Sequence, residues 1–293
     1  MNRTQTDNKP FPEAVQGWPF AIRTTIADGA LISYTDEGSG PTLLLVHDGM
    51  CSYLWVHLIN RLRDRFRVVT LDFPGSGLSP ATPTPVSLES DSHLLESFVD
   101  VLGLQTFTLV VHDLGGGVGV GMATRRPGQV DGLVLINTFA WPADTRGLRG
   151  MLRVMGSRPV RTVNSGTNFL ARASSTRFGV GRHFDRDQRF GYVGMFEDKG
   201  PRRRFHDLMA SVPEESDYLS DVETGLVRLT DRPVLTIFGR RNDPFRFQER
   251  WLAHFPAADQ IVIPKGYHFP MCDAPAEVAE RIADWHAAHI ARS

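Results

Sequence analysis

Residues 110–119 read Val-Val-His-Asp-Leu-Gly-Gly-Gly-Val-Gly. An apolar run from Phe107 to Val111 leads into Asp113, and glycines follow before a helical pattern. That order predicts a sharp strand-to-helix turn, a nucleophile elbow, with Asp113 exposed at its centre. Small residues just after the turn let the helix leave at close quarters. The elbow usually carries serine. A carboxylate in its place is already ionised at neutral pH and can attack carbon directly. The plainer alternative is that Asp113 caps a helix N-terminus.

Two further segments carry chemistry of the same kind. Phe238-Gly239-Arg240-Arg241-Asn242-Asp243-Pro244-Phe245 places an acid, Asp243, in the loop after a core strand. Gly266-Tyr267-His268-Phe269-Pro270 places a histidine, His268, after the next strand and before the last helix. Singly, Asp243 reads as a turn acid before proline, and His268 as a partly buried histidine. Together they give the chain order nucleophile, acid, histidine. All three fall where parallel strands end, the edge at which open α/β sheets build their sites.

The elements that must hold these residues alternate. Ala21 to Ile26 and Leu31 to Tyr34 read as strands joined by a turn at Asp28-Gly29-Ala30. Thr42 to Val46 is fully apolar, as a central strand would be. Further strands are expected at 67–71, 107–111, 132–136, 233–238 and 260–263, and helices at 53–63, 88–102, 118–125, 247–253 and 276–290. Such alternation implies an α/β fold, a mostly parallel sheet with helices on both faces. The rhythm stops after Trp141-Pro142. Residues 143–224 are expected to form an inserted helical cap, residues 21–142 and 225–293 the core domain, and residues 1–20 a loose arm.

With these segments in place, the chain resembles the α/β-hydrolase superfamily over nearly its whole length. Within it, the chain resembles the branch with an aspartate nucleophile, which holds haloalkane dehalogenases and epoxide hydrolases. The resemblance is carried by Val46-His47-Asp48-Gly49, by residues 71–79 (Leu-Asp-Phe-Pro-Gly-Ser-Gly-Leu-Ser), by the His112-Asp113 elbow, by Asn137-Thr138-Phe139-Ala140-Trp141-Pro142 and by the Asp243 and His268 loops. It implies a two-step hydrolysis. Asp113 forms a covalent ester with an electrophilic carbon, and His268, oriented by Asp243, activates water to cleave that ester. The backbone N–H groups of Asp48 and Leu114 are expected to hold the oxyanion. His47, Trp141 and Tyr192 are expected to line the substrate pocket.

The departures from the dehalogenase pattern are specific. That pattern places tryptophan after the nucleophile, where its indole N–H binds halide; here the residue is Leu114, which has no side-chain donor. It places asparagine two residues after the loop histidine; here the residue is Gly49, with Asp48 where glycine is usual. Epoxide hydrolases use cap tyrosines, and the insertion offers Tyr192 and Tyr218. A haloalkane dehalogenase-like hydrolase is the first reading, epoxide hydrolysis or another aspartate-nucleophile reaction the second. A ligand-binding protein on the same fold is the alternative without catalysis.

Composition bounds the rest. The 293 residues carry 32 Lys+Arg against 33 Asp+Glu, a formal charge of −1, so no basic field draws nucleic acid. No apolar run approaches the roughly 20 residues of a membrane span, and the N-terminus lacks a signal-peptide pattern. Two cysteines, Cys51 and Cys272, suit a reducing compartment, and a cytoplasmic location is expected. Histidine spacing fits no metal motif, and the glycines at 115–121 follow an elbow, not a dinucleotide fingerprint. No metal or cofactor is expected, and the expected partner is a small-molecule substrate. Ser76 reads as part of a structural loop. Residues 143–204 hold thirteen Arg and one Lys against five acids. That excess fits a solvated helical face, or a lid that attracts an anionic substrate.

Overall fold

The apolar runs of the sequence become the middle of one sheet. The computed structural model describes residues 15–290. Among them the strands are β1 (Arg23–Ala27), β2 (Ala30–Glu37), β3 (Thr42–Val46), β4 (Arg67–Leu71), β5 (Phe107–Asp113), β6 (Val130–Thr138), β7 (Val234–Gly239) and β8 (Asp259–Ile263). They form an eight-stranded sheet in the order β1-β2-β4-β3-β5-β6-β7-β8. β1 and β2 are antiparallel, as are β2 and β4; every pair from β4 to β8 is parallel. Asp28 and Gly29, with φ of 47° and 71°, make the tight turn between β1 and β2.

β5 and β7 are buried along nearly their whole length, so both of their faces must be covered. The covering helices are α1 (Val56–Leu62), α2 (Leu88–Val101), α3 (Gly115–Arg125), α10 (Phe247–His254), α11 (Pro270–Asp273) and α12 (Pro275–His289). α2 packs on α3, and α1 packs on α12. α2 starts at a capping box in which Ser87 accepts from the Ser90 backbone and Ser90 returns the bond.

Between β6 and β7 lie α4 (Arg146–Met155), α5 (Arg158–Thr167), α6 (Phe169–Ser174), α7 (Arg186–Gly194), α8 (Lys199–Ser211) and α9 (Ser216–Gly225). α4, α5 and α8 pack together over the C-terminal edge of the sheet. α9, counted with the insertion on sequence grounds, instead lies against α3 of the core. Tyr218 of α9 donates its hydroxyl to Gly117 O at 2.8 Å. Residues 1–14 of the expected arm lie outside the described residues. Residues 15–20 are packed: Trp18 lies against Tyr53 and Phe20, and Tyr53 donates to Gln16 O.

Candidate active site

β5 ends on Asp113, whose φ of 49° lies in the left-handed region, one that a side chain other than glycine seldom adopts. Thr138 Oγ1 pins the turn by donating to Asp113 O at 2.6 Å. The next helix starts almost at once, at Gly115. A Cβ there would lie 2.6 Å from Val46 O and 2.7 Å from His47 O. Only glycine lets α3 pass so close to the end of β3. The glycine run, expected to precede the helix, is thus its first turn.

His268 comes from the loop between β8 and α11. Its Nε2 lies 3.6 Å from Asp113 Oδ2. Asn137, at the end of β6 with φ 36°, holds the histidine loop in place. Its Nδ2 donates to Tyr267 O at 2.9 Å and to His268 O at 3.0 Å, while its Oδ1 accepts from Gly239 N at 2.9 Å. Beneath, His112 Nε2 donates to His268 O at 2.8 Å. Asp273 accepts from Tyr267 N at 2.5 Å and pairs with Arg182 at 3.1 Å. Burial alone would lower the His268 imidazole. The carboxylates of Asp113, Asp48 and Asp273, Asp113 foremost, together outweigh it, so the ring is pushed above its usual value.

Asp113 and His268 open on a cavity of about 330 Å³. Its roof is α4, whose Leu148, Met151, Leu152 and Met155 recur at helical spacing on one stripe, with Phe205 and Met209 of α8. Met50, Phe139, Phe238, Phe245, Phe247 and Phe269 complete the apolar wall. The polar lining side chains are Asp48, Asp113, Asn137, Asn242, Asp243 and His268. Asp48 and Leu114, the expected oxyanion donors, both line the cavity. A larger surface cleft of about 690 Å³, lined by Asp91, Arg203 and Arg204 among others, lies apart from these residues.

Several expected site residues are placed differently. Asp243 lines the cavity, but its carboxylate turns away from the histidine. Oδ1 accepts from Phe247 N at 2.7 Å and Oδ2 from Gln248 N at 3.0 Å, the first turn of α10. Burial raises this carboxyl, and the two N–H groups oppose the rise. The group on His268 Nδ1 is Asn242, whose Nδ2 lies 3.0 Å away. Of the three expected pocket residues, none is on the wall. His47 is buried behind Gly49, whose N–H donates to its Nδ1 at 3.0 Å. Trp141 is enclosed by Trp251 and Phe247. Tyr192 is buried with its hydroxyl 2.8 Å from Ser174 Oγ.

Among the described residues, no tryptophan, tyrosine, arginine or lysine lines the cavity. The arginine-rich insertion therefore does not present its charge to the site. Arg161 pairs with Asp207, Arg182 with Asp273 and Arg204 with Asp91, while Arg202 donates to Phe196 O, Ser165 O and Glu197 O. Asn137 and Asn242 were missed in the sequence. Asn137 was visible as part of a segment that carries the resemblance and as a polar residue closing an apolar strand, and Asn242 only as the neighbour of an acid. No group of three or more His, Cys, Asp or Glu side chains among the described residues is placed to hold a metal ion.

A mostly parallel sheet, an aspartate on a left-handed turn after its fifth strand in sequence and a histidine after its last define an α/β-fold hydrolase. The chain belongs to the alpha/beta hydrolase family, whose model matches residues 43–281. It is 31% identical over 281 residues to haloalkane dehalogenase 2 of Mycobacterium tuberculosis, covering 94% of this chain and 98% of that one. It is 27% identical over 282 residues to a cis-3-alkyl-4-alkyloxetan-2-one decarboxylase of Shewanella oneidensis, covering 90% and 87%. Its fold is similar to the crystal structure of the haloalkane dehalogenase DbeA from Bradyrhizobium elkani, with a TM-score of 0.81 at 20% identity over 94% of this chain and 100% of that one.

Proposed function

We propose that this enzyme hydrolyses a small, apolar alkyl electrophile of the haloalkane class through a covalent ester on Asp113. The observation that carries the reading is the Asp113 carboxylate, on its left-handed turn and 3.6 Å from His268 Nε2, at one end of an apolar cavity of about 330 Å³. That volume is at the low end of the roughly 300–1,000 Å³ of ligand sites, which favours a small substrate. The stripe on α4 and the phenylalanines hold an alkyl chain by burial alone.

In the first step an Asp113 oxygen bonds to the electrophilic carbon while the carbon–halogen bond breaks and halide departs. In the second, water adds to the ester carbonyl and gives a proton to His268 Nε2. The resulting oxyanion faces the backbone N–H groups of Leu114 and Asp48. Collapse breaks the acyl carbon–oxygen bond and the alcohol leaves with the proton from His268. The Asp113 carboxyl that remains gives the second proton of the water to solvent, and the carboxylate returns. The dehalogenase relative in Mycobacterium tuberculosis supports haloalkanes as the substrate class.

A second reading is favoured by the wall itself. Neither an indole nor a tyrosine hydroxyl lines the cavity, and Asp48 adds a carboxylate that a departing anion must pass. A strained four-membered lactone needs neither donor. Asp113 attack at C4 breaks the ring C4–O bond and leaves a carboxylate on C3. Loss of carbon dioxide then forms the C3=C4 bond and expels Asp113 without water. The oxetanone decarboxylase relative supports this alternative.

A panel of bromoalkanes, epoxides and 3,4-dialkyl oxetan-2-ones separates these readings, with halide, diol, and alkene plus carbon dioxide measured separately. His268→Gln is expected to accumulate a substrate-derived mass on the peptide containing Asp113 when given a bromoalkane. Asp113→Asn is expected to lose roughly 10⁴-fold or more in turnover. Alkene and carbon dioxide without halide turnover would give the second reading precedence. No mass on that peptide with bromoalkane or epoxide would overturn the first reading, and no alkene and carbon dioxide from the oxetanones would overturn the second.

A further inference from the structure

The loop between β7 and α10 offers two neighbouring side chains to the same histidine, and only one reaches it. Asn242 Nδ2 lies 3.0 Å from His268 Nδ1. Both oxygens of Asp243 are engaged elsewhere, accepting from Phe247 N at 2.7 Å and Gln248 N at 3.0 Å. Turning Asp243 toward the imidazole would leave two donors in the first turn of α10 without their acceptor.

We infer that Asn242, not a carboxylate, is the positioning residue of His268, and that its amide selects which ring nitrogen carries the proton. The catalytic consequence rests on the ester mechanism proposed above. An amide NH₂ only donates, so a ring nitrogen facing it must offer a lone pair. The neutral ring then carries its proton on Nε2, toward Asp113. In that state it donates to the nucleophile and cannot take a proton from water at Nε2. A half-turn of the amide brings Oδ1 to Nδ1, which must then carry the proton. Nε2 is freed as a base. The imidazolium formed during ester hydrolysis, with both nitrogens protonated, needs this second orientation as well. A carboxylate, which only accepts when ionised, would hold the second state throughout.

The groups facing the ring are accounted for. Asp113 stands at the end of β5, Asp48 after β3, and Asp273 in α11 with its partner Arg182. His112 lies 4.8 Å away, ring centre to ring centre. Burial lowers the His268 ring and the chief opposing charges are Asp113, Asp48 and Asp273.

The test is ¹⁵N NMR of the histidine rings in the full chain, titrated with pH, for wild type, Asn242→Asp, Asn242→Leu and Asp243→Ala. Wild-type His268, above its titration midpoint, is expected with the proton on Nε2. Asn242→Asp should move that proton to Nδ1 and raise the midpoint by about one to three units. Asn242→Leu should abolish the Nε2 preference and, with His268 intact, prolong the Asp113 adduct at least ~10-fold. Asp243→Ala should lower Tm and leave the His268 tautomer as in wild type. A wild-type ring protonated on Nδ1 overturns the inference. So does an Asp243→Ala variant that changes the tautomer while Asn242→Leu does not. The ring signals need no turnover, so this outcome is separate from whether any electrophile alkylates Asp113.

Discussion

His112 is fully buried beneath His268, and its Nε2–H is committed to His268 O. Burial, with the nearby His268 adding, pushes its ring down to about 3. The unfolded chain takes up a proton near the ordinary value of 6.5, whereas the folded chain does not until far lower. The stability this neutral ring contributes is therefore present above pH 6.5 and is lost as pH falls toward 3. The slope is about 1.4 kcal/mol per pH unit. Urea unfolding between pH 7 and 4.5 should show it, and His112→Asn should flatten the acid limb while lowering stability at pH 8. An unchanged acid limb in that variant would assign the slope to other groups. His268 works in the opposite sense: its raised ring contributes stability below pH 6.5 that is lost as pH rises through its folded value. At this scale the turn at Asp113 and the loop of His268 were legible, because each sits at an abrupt change from strand pattern to turn. Asn242 was not. Adjacent turn residues point in different directions, and no periodicity says which of the two faces inward.

The helix α3 shows why the elements were legible and their ends were not. Residues 115–117 are all glycine, and each costs helix stability relative to alanine. Local preference thus predicts a later start than the observed Gly115. Packing decides otherwise, because the first turn must pass the carbonyls of Val46 and His47. Gly115→Ala is expected to lower stability by about 1–3 kcal/mol, as overpacking does, and to reduce turnover by displacing the Asp48 and Leu114 backbone. Thermal unfolding and steady-state rates check both. A normal Tm with normal turnover would mean that the close approach is not required. The start of α10 has a comparable device. Asp243 satisfies two of its N–H groups, so Asp243→Ala should cost about 0.5–2 kcal/mol. The acid was visible in the sequence, but its hydrogen-bond partners were not.

Across the whole molecule, the cap is tied to the core by a pair that the sequence showed only as charge. Arg204 of α8 and Asp91 of α2 are 4% and 5% exposed. Arg204 Nη2 donates to both Asp91 oxygens, at 2.7 and 2.5 Å, and its Nε donates to Pro74 O at 2.6 Å. Arg204→Met should destabilise by about 3–5 kcal/mol, since it leaves a buried carboxylate without its partner, and Arg204→Met with Asp91→Leu should recover most of that loss. Urea unfolding of the two variants measures the difference. The core was legible because eight strands and their helices repeat one pattern. The insertion was legible as helical, but the positions of its helices were not, because they are set by such side-chain ties and by the floor beneath them.

The contact between cap and floor also bears on leaving-group choice. Gly49, where the dehalogenase pattern has asparagine, sits at φ 88°, and a Cβ there would lie 2.5 Å from Leu208 Cδ2 of α8. Asparagine tolerates positive φ better than most residues, so the obstacle is Leu208. Gly49→Asn alone should therefore lower Tm and turnover. In a Leu208→Ala background the side chain has room, and its amide can donate to a departing halide. A hydrogen bond to a charged acceptor contributes about 1.5–3 kcal/mol, and 1.4 kcal/mol is tenfold. Halide release from a bromoalkane should then rise at least ~10-fold over Leu208→Ala alone. Adding His268→Gln to both backgrounds isolates the alkylation step, since the Asp113 adduct then accumulates at the rate at which it forms. If that rate does not change on adding Gly49→Asn, the leaving group does not pass position 49.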